Sequence, residues 1–352
     1  MTPWEIVGGR WMSRWIRGPR QQRARWRLAL AVCLGGWQAL AGAADAAPTA
    51  AAAAVPVVAS FSILGDIVQQ IGGERVSVRT LVGPEADAHV YQPKPADARA
   101  VAAAKLLVVN GLGYEGWLER LLRSAGYRGE LVRVTDGIEP LPAVAPQPSK
   151  AHAAAPRRGH AHGHDHRHDH DHGAFDPHAW QDVRNVMVYA QRIADALCRV
   201  DAPSCDGYRQ RAQAYQQTLR ALDADIRAAW AAIPAEQRKI VTSHDAFRYY
   251  GNAYGVTFLP AQGVSTASEP SAAGVARLIR QIRAEGVRAV FVERLTDPRL
   301  VQRIARESGV QPASEPLYSD ALSRGDGPAP DYVRLMRHNT QAMVTAVRGA
   351  TP

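Results

Sequence analysis

A helical pattern without a breaker runs from Asp206 to Ile233, and it restricts the folds open to this chain more than any other stretch. Tyr208, Ala212, Tyr215, Leu219, Leu222, Ile226 and Trp230 recur three or four residues apart, which makes one apolar stripe on a helix. At about 1.5 Å per residue such a helix spans roughly 40 Å, long for a single helix of one compact lobe. Short apolar runs alternate with amphipathic segments on both sides of it. In the first series, strands are expected at 55–60, 76–82, 106–110 and 131–134, with helices at 63–71, 95–104, 117–124 and 183–198. In the second, strands are expected at 238–243, 256–261, 289–293 and near 312–316, with helices at 246–254, 272–285, 298–308 and 332–347. Such alternation builds a parallel sheet covered by helices. The expected fold is α/β, with two lobes, each a parallel sheet flanked by helices, joined by one long linking helix. The N-terminal lobe covers 55–205, the linking helix 206–233 and the C-terminal lobe 238–350.

Composition matters where charge is concerned. The formal net charge is +9 over 352 residues, but residues 1–27 hold seven Arg and one Glu. What remains is nearly balanced, and no basic stripe interleaved with aromatics follows. Nucleic acid is therefore not an expected partner. Behind the basic head, Leu28 to Ala41 is a short apolar run leading into Gly42-Ala43-Ala44. That order fits a secretory signal peptide over 1–43, with Met1 or Met12 as the start. The run is too short for an ordinary membrane-spanning helix. Val32 before Cys33 makes a poor lipidation site, so a soluble, exported, periplasmic and monomeric protein is expected.

Cys33 leaves with that leader. Cys198 and Cys205, seven apart with Pro203 between them, remain. In an oxidising compartment such a pair is expected as a disulfide closing a small loop between two helices. A thiolate metal pair is the alternative, although its usual spacing is closer.

Histidine is distributed unevenly. Eight of the 12 lie between His152 and His172. Seven of them, His160, His162, His164, His166, His168, His170 and His172, alternate with Gly, Ala, Arg and Asp. A polar tract without apolar periodicity cannot offset the entropy of ordering itself. It is expected as a mobile loop over 150–174 that catches metal weakly. The other four are His89, His178, His244 and His338. His244 follows a strand directly, while His89, His178 and Asp320 fall in strand-to-helix loops. In parallel sheets ligands bind outside the carboxyl ends of the strands. His89 and His178 from the first lobe, with His244 and Asp320 from the second, would form an N3O set for a late first-row divalent ion. His338 sits in a charged helix and is expected at the surface. Asp320 and Asp176 are also candidate helix caps, and Glu269 and Glu293 are candidate carboxylate ligands or plain loop charges.

At these residues the chain resembles the zinc- and manganese-binding solute-binding proteins of ABC transporters, the ZnuA- and TroA-like group. The resemblance covers nearly all of residues 55–348. It rests on four motifs in order: His89-Val-Tyr-Gln-Pro93 with Asp97, Asp176-Pro-His-Ala-Trp180, Ser243-His-Asp-Ala-Phe247-Arg-Tyr-Tyr250 and Leu317-Tyr-Ser-Asp-Ala-Leu322. It implies metal bound between two lobes by His89, His178, His244 and Asp320, and delivery to an ABC permease at the inner membrane. In relatives that carry manganese the third position is commonly a carboxylate, whereas here it is His244. A His-rich loop is the habit of the zinc group. The chain departs from the family pattern at Ala88, where some zinc-type relatives have Glu, and at Asp182-Val183, where Asp-Pro is usual.

The resulting expectation is a periplasmic carrier that captures Zn2+ as its transported ligand. Mn2+ or another divalent ion in the same cleft is the alternative within the group. A metal-dependent hydrolase is a second class, with Asp245 or Glu293 as general base, but no His-Glu-x-x-His motif accompanies them. A metal store working through the histidine tract alone is a third.

Overall fold

The computed structural model of the chain describes residues 53–143, 174–267 and 269–349. The expected leader over 1–43 and the seven tract histidines lie outside these residues.

The first sheet is built around β1 (Val55–Phe61), in which every residue but Pro56 is buried. It pairs in parallel with β2 (Val76–Val82) on one side and β3 (Leu106–Val109) on the other, and β4 (Glu130–Arg133) closes the edge in the order β2-β1-β3-β4. The register sets Val57 opposite both Val78 and Leu106. A strand buried on both faces needs a nearly continuous apolar run, and Val-Val-Ala-Ser-Phe supplies one whose single polar group, the Ser60 hydroxyl, donates to Glu115 at 2.7 Å. The crossovers are α1 (Ser62–Gly72), α2 (Pro95–Ala103) and α3 (Leu118–Ala125). Gly73, at φ 57, ends α1 and turns the chain toward β2, a conformation that costs glycine no steric strain.

α4 (Val183–Val200) and α5 (Cys205–Ala231) follow, joined by a tight turn. The Cys198–Cys205 disulfide closes that turn. A closed loop this short contributes about 2 kcal/mol by restricting the unfolded chain. The buried stripe of α5 is Tyr208, Ala212, Tyr215, Leu219, Leu222, Ile226 and Trp230, the residues the periodicity selects. At its start, Arg211 donates to the carbonyls of Ile71 and Gly72 at the end of α1. At its end, Trp230 Nε1 donates to the Tyr250 hydroxyl of the second half at 2.8 Å.

The second sheet is smaller. β5 (Lys239–Thr242) lies between β6 (Thr257–Pro260) and β7 (Ala289–Val290), all parallel, in the order β6-β5-β7. Around it lie α6 (Arg248–Tyr254), α7 (Ala272–Glu285), α8 (Pro298–Ser308) and α9 (Tyr332–Gly349). Two expectations need correction here. The strand expected at 289–293 is cut to two residues, and the one near 312–316 is reduced to isolated bridges at Pro312 and Leu317. Pro312 and Pro316 have no N–H to give a ladder, so only Ala313 and Leu317 donate across, to Val290 and Val292.

The core does not divide evenly between the sheets. One apolar cluster runs from Val55 through α1, α4 and α5 to Tyr250, Leu317 and Val347, and so belongs to both halves. A second, smaller cluster lies under α7 and α8, with Val275, Ile279, Ile282, Val301 and Ile304. Among the described residues no helix is long and apolar enough to cross a membrane.

Candidate metal centre

Four loops at the carboxyl ends of the strands converge between the two sheets. His89 follows β2, His178 stands in the loop after β4, His244 is the second residue past β5, and Asp320 follows the bridge at Leu317. One ligand atom from each lies within 4.8 Å of the others. Asp320 is the hub. Its carboxylate oxygens are 3.2 Å from His244 Nε2, 3.5 Å from His178 Nε2 and 3.7 Å from His89 Nε2. His89 Nε2 and His178 Nε2 are 3.3 Å apart. The side chains of His178, His244 and Asp320 have no solvent contact, while that of His89 keeps 7 %.

Each ligand is held from behind. Asp176 Oδ1 accepts from His178 Nδ1 at 2.8 Å and from the His178 backbone N–H at 3.0 Å. Nε2 is thereby left as the nitrogen aimed at the cluster, with its lone pair free for a cation. Asp87 Oδ1 accepts from the His89 backbone N–H at 2.8 Å, so an Asp-x-His turn is used at both positions. Asp176 is thus the support of His178 and not a helix cap. Glu293 serves His244: its Oε1 accepts from the His244 backbone N–H at 2.9 Å, and its Oε2 lies 2.6 Å from Nδ1. That second contact is close but lacks the alignment of a hydrogen bond. Asp320 is placed through its neighbours. Trp180 Nε1 and Gln181 Nε2 both donate to the Ser319 carbonyl, and Asn339 of α9 brackets the backbone N–H and carbonyl of Tyr318.

The electrostatics follow from burial and from this crowding. Burial lowers the His89 imidazole to about 3, with His178 and His244 adding to the effect against the pull of Asp320. Burial also opposes charge on His244, but Glu293 and Asp320 outweigh it and raise that imidazole well above its usual value. For Asp320, burial favours the neutral acid. His244, His178 and His89 override it and hold the carboxyl well below the ordinary range. Both Asp320 oxygens are buried without a hydrogen-bond partner. A buried carboxylate facing three imidazole nitrogens is a donor set matched to a cation.

The remaining sequence candidates separate cleanly. His338, expected at the surface, is half-buried: its Nε2 donates to the Pro316 carbonyl at 3.0 Å and its ring packs edge-on against Tyr318. The neighbouring Asn339 is the residue of that helix that bears on the centre, and its spacing in the sequence carries no sign of this. Asp320 caps no helix among the described residues. Glu293 is a support behind His244, and Glu269 is exposed and outside the cluster. Asp245 is buried, and burial with the charge of Asp176 pushes its carboxyl up to about 6. The histidine tract falls in the undescribed 144–173. Its two ends are tied together where Ala143 N–H donates to the Ala174 carbonyl and Asp176 N–H to that of Leu141.

Two parallel sheets sharing one long helix, with a buried histidine-carboxylate cluster between them, define a two-lobed solute-binding protein. The family model for the periplasmic component A of zinc-uptake complexes matches residues 57–346, and the chain belongs to that family of metal-transporter binding proteins. It is similar to the manganese-binding lipoprotein MntA of Halalkalibacterium halodurans, 33% identical over 306 residues, which are 87% of this chain and 93% of that protein. It is also similar to the iron-binding protein YfeA of Yersinia pestis, 32% identical over 84% of this chain and 87% of that one. Among solved structures, the periplasmic zinc binding protein TroA from Treponema pallidum superposes with a TM-score of 0.72. It is 28% identical, over 84% of this chain and 99% of that one.

Proposed function

We propose that this protein captures Zn2+ between its lobes and delivers it to the membrane permease of an ABC importer. His89, His178, His244 and Asp320 are the ligands in this reading, and the ion is cargo. The observation that carries it is the cluster itself, three imidazole Nε2 atoms within 3.7 Å of one buried carboxylate. Nitrogen-rich sites rank the first-row divalent ions so that Zn2+ binds well above Mn2+. Four protein ligands in a tetrahedral shell describe a holding site, whereas a hydrolase keeps a position open for water. Cu2+ and Ni2+ would compete in a test tube, so selectivity in the cell rests on geometry and supply.

Mn2+ is the second reading, favoured by the kinship with a protein named for manganese at 33% identity. Protein isolated from the periplasm of metal-limited cells, analysed by mass spectrometry under native conditions, separates the two. One equivalent of zinc supports the first reading, and one of manganese replaces it with the second. Ester or phosphoester turnover by the zinc-loaded protein would favour the hydrolase instead.

The rest of the organisation follows from this reading. Residues 1–43 direct export and are removed, 55–205 and 238–350 form the lobes, and 206–233 form the link. The mature chain acts as a monomer. The seven tract histidines add weak sites that raise local metal concentration beside His178, by the effective-concentration effect of a short tether.

A further inference from the structure

We propose that Asp87 and Thr266 form a gate through which the metal enters and leaves the centre, on the side of His89. This rests on the reading of the cluster as the cargo site. Of the four ligands only His89 has a side chain that touches solvent, so the shortest way out passes it. Asp87 stands there. Its Oδ1 accepts from the His89 backbone N–H, and its Oδ2 accepts from the Thr266 hydroxyl at 2.6 Å, across the boundary between the halves.

The two partners are anchored unequally, which decides which one moves. The loop carrying Asp87 and His89 is fastened to the second half at Glu85. The Glu85 N–H donates to the Leu322 carbonyl at 3.0 Å, and its carboxylate meets Arg294 at 3.2 Å and Arg324 at 3.1 Å. Trp117 Nε1 donates to the Ala88 carbonyl from the other side. Residues 261–267, by contrast, leave β6 where Leu259 and Ala261 pack on the smaller apolar cluster. They hold the His244 loop through two backbone bonds, Gln262 N–H to Ser243 and Asp245 N–H to Gly263. Beyond Gly263, at Thr266, the segment reaches the first half through the hydroxyl on Asp87. Opening therefore parts the Thr266 hydroxyl from Asp87 and leaves the four ligands where they are.

A gate changes rates of entry and exit together, whereas a residue that only shapes the site changes affinity. The test uses the full mature protein loaded with Zn2+ and follows exchange against an enriched zinc isotope, with affinity from chelator competition. Thr266→Val keeps the shape and removes the hydroxyl. It should speed exchange by about tenfold, the scale of one hydrogen bond to a charged acceptor, and leave affinity within about twofold. Thr266→Ser should restore the parent rate. An unchanged exchange rate in Thr266→Val overturns the gate. So does an affinity that falls in step with the faster release, which makes Thr266 a positioning residue. If His178→Ala and the parent bind Zn2+ alike, the cluster reading itself fails and takes the gate with it.

Discussion

Glu293 Oε2 lies 2.6 Å from His244 Nδ1, and both side chains are fully buried. They stand just past the paired strands β5 and β7, where the His244 N–H donates to Glu293 and the Glu293 N–H donates to the Ser243 hydroxyl. Replacing Glu293 by Gln keeps the Oε1 acceptor for the His244 N–H and removes the charge behind the ring. Second-layer partners of metal-bound histidines are worth about 10- to 100-fold in affinity, and a loss of that size is expected for Zn2+. Competition with a calibrated chelator measures it, and an unchanged constant would show that the contact is incidental.

His178 and His338 make a matched pair of histidines with opposite expectations. His178→Ala removes a ligand and should weaken Zn2+ binding by several orders of magnitude. His338→Ala breaks one hydrogen bond to Pro316 and should leave the affinity as it was. Its cost falls on folding, about 1 kcal/mol. Titration calorimetry that gave the two variants equal affinity would remove His178 from the centre.

The pH dependence follows from opposite shifts within one cluster. His244 is raised, so below its pKa it carries a proton that the metal must displace. His89 is held near 3 and is already neutral at pH 5 and above, so it contributes no proton there. Affinity should therefore rise with pH while His244 carries its proton, by about tenfold per unit for that proton. Lowering the pH runs the same linkage backwards and releases metal. Calorimetry at pH 7 in buffers of different ionisation heat should show that proton leaving, and heats independent of buffer would contradict it. In Glu293→Gln the released proton should diminish, because the charge that keeps His244 protonated is gone.

Deleting Gly159 to Gly173 should leave the tight site at its original affinity and abolish the additional weak ions. The ends of the segment are already joined at Ala143 and Ala174, so a shortened connection does not disturb the approach to His178. Zinc titration of the intact and shortened proteins decides it. Loss of the tightest site on deletion would make the tract the receptor.

The architecture could be read from the chain wherever the signal was local. The stripe of α5 was set by its own period, and β1 by an apolar run broken only by Ser60. Local signals failed at 289–293 and 312–316, where strand length depends on what the neighbouring segment can donate, and two prolines there donate nothing. The cluster was legible as four residues at four strand ends. Their supports were legible only in part. Asp87 and Asp176 each stand two residues before a histidine, a repeated Asp-x-His spacing that marks them. Glu293 acts on a residue 49 positions earlier, Asn339 works through the backbone of Tyr318, and Thr266 reaches 179 positions back to Asp87. Contacts of that range are products of the tertiary fold and leave no periodicity behind.

The long helix α5 is rooted at one end beneath α1 and at the other against Tyr250. Treated as a lever about 40 Å long, it carries its far end some 3.5 Å when tilted by about 5°. That displacement equals the separations among the imidazole and carboxylate atoms that face one another across the cleft. Metal coordination tolerates errors of only about 0.2 Å, so a fraction of a degree is enough to degrade the shell. On that scale the shell works like a fine-pitch vice, in which a turn too small to alter the outline of the molecule would already loosen the grip.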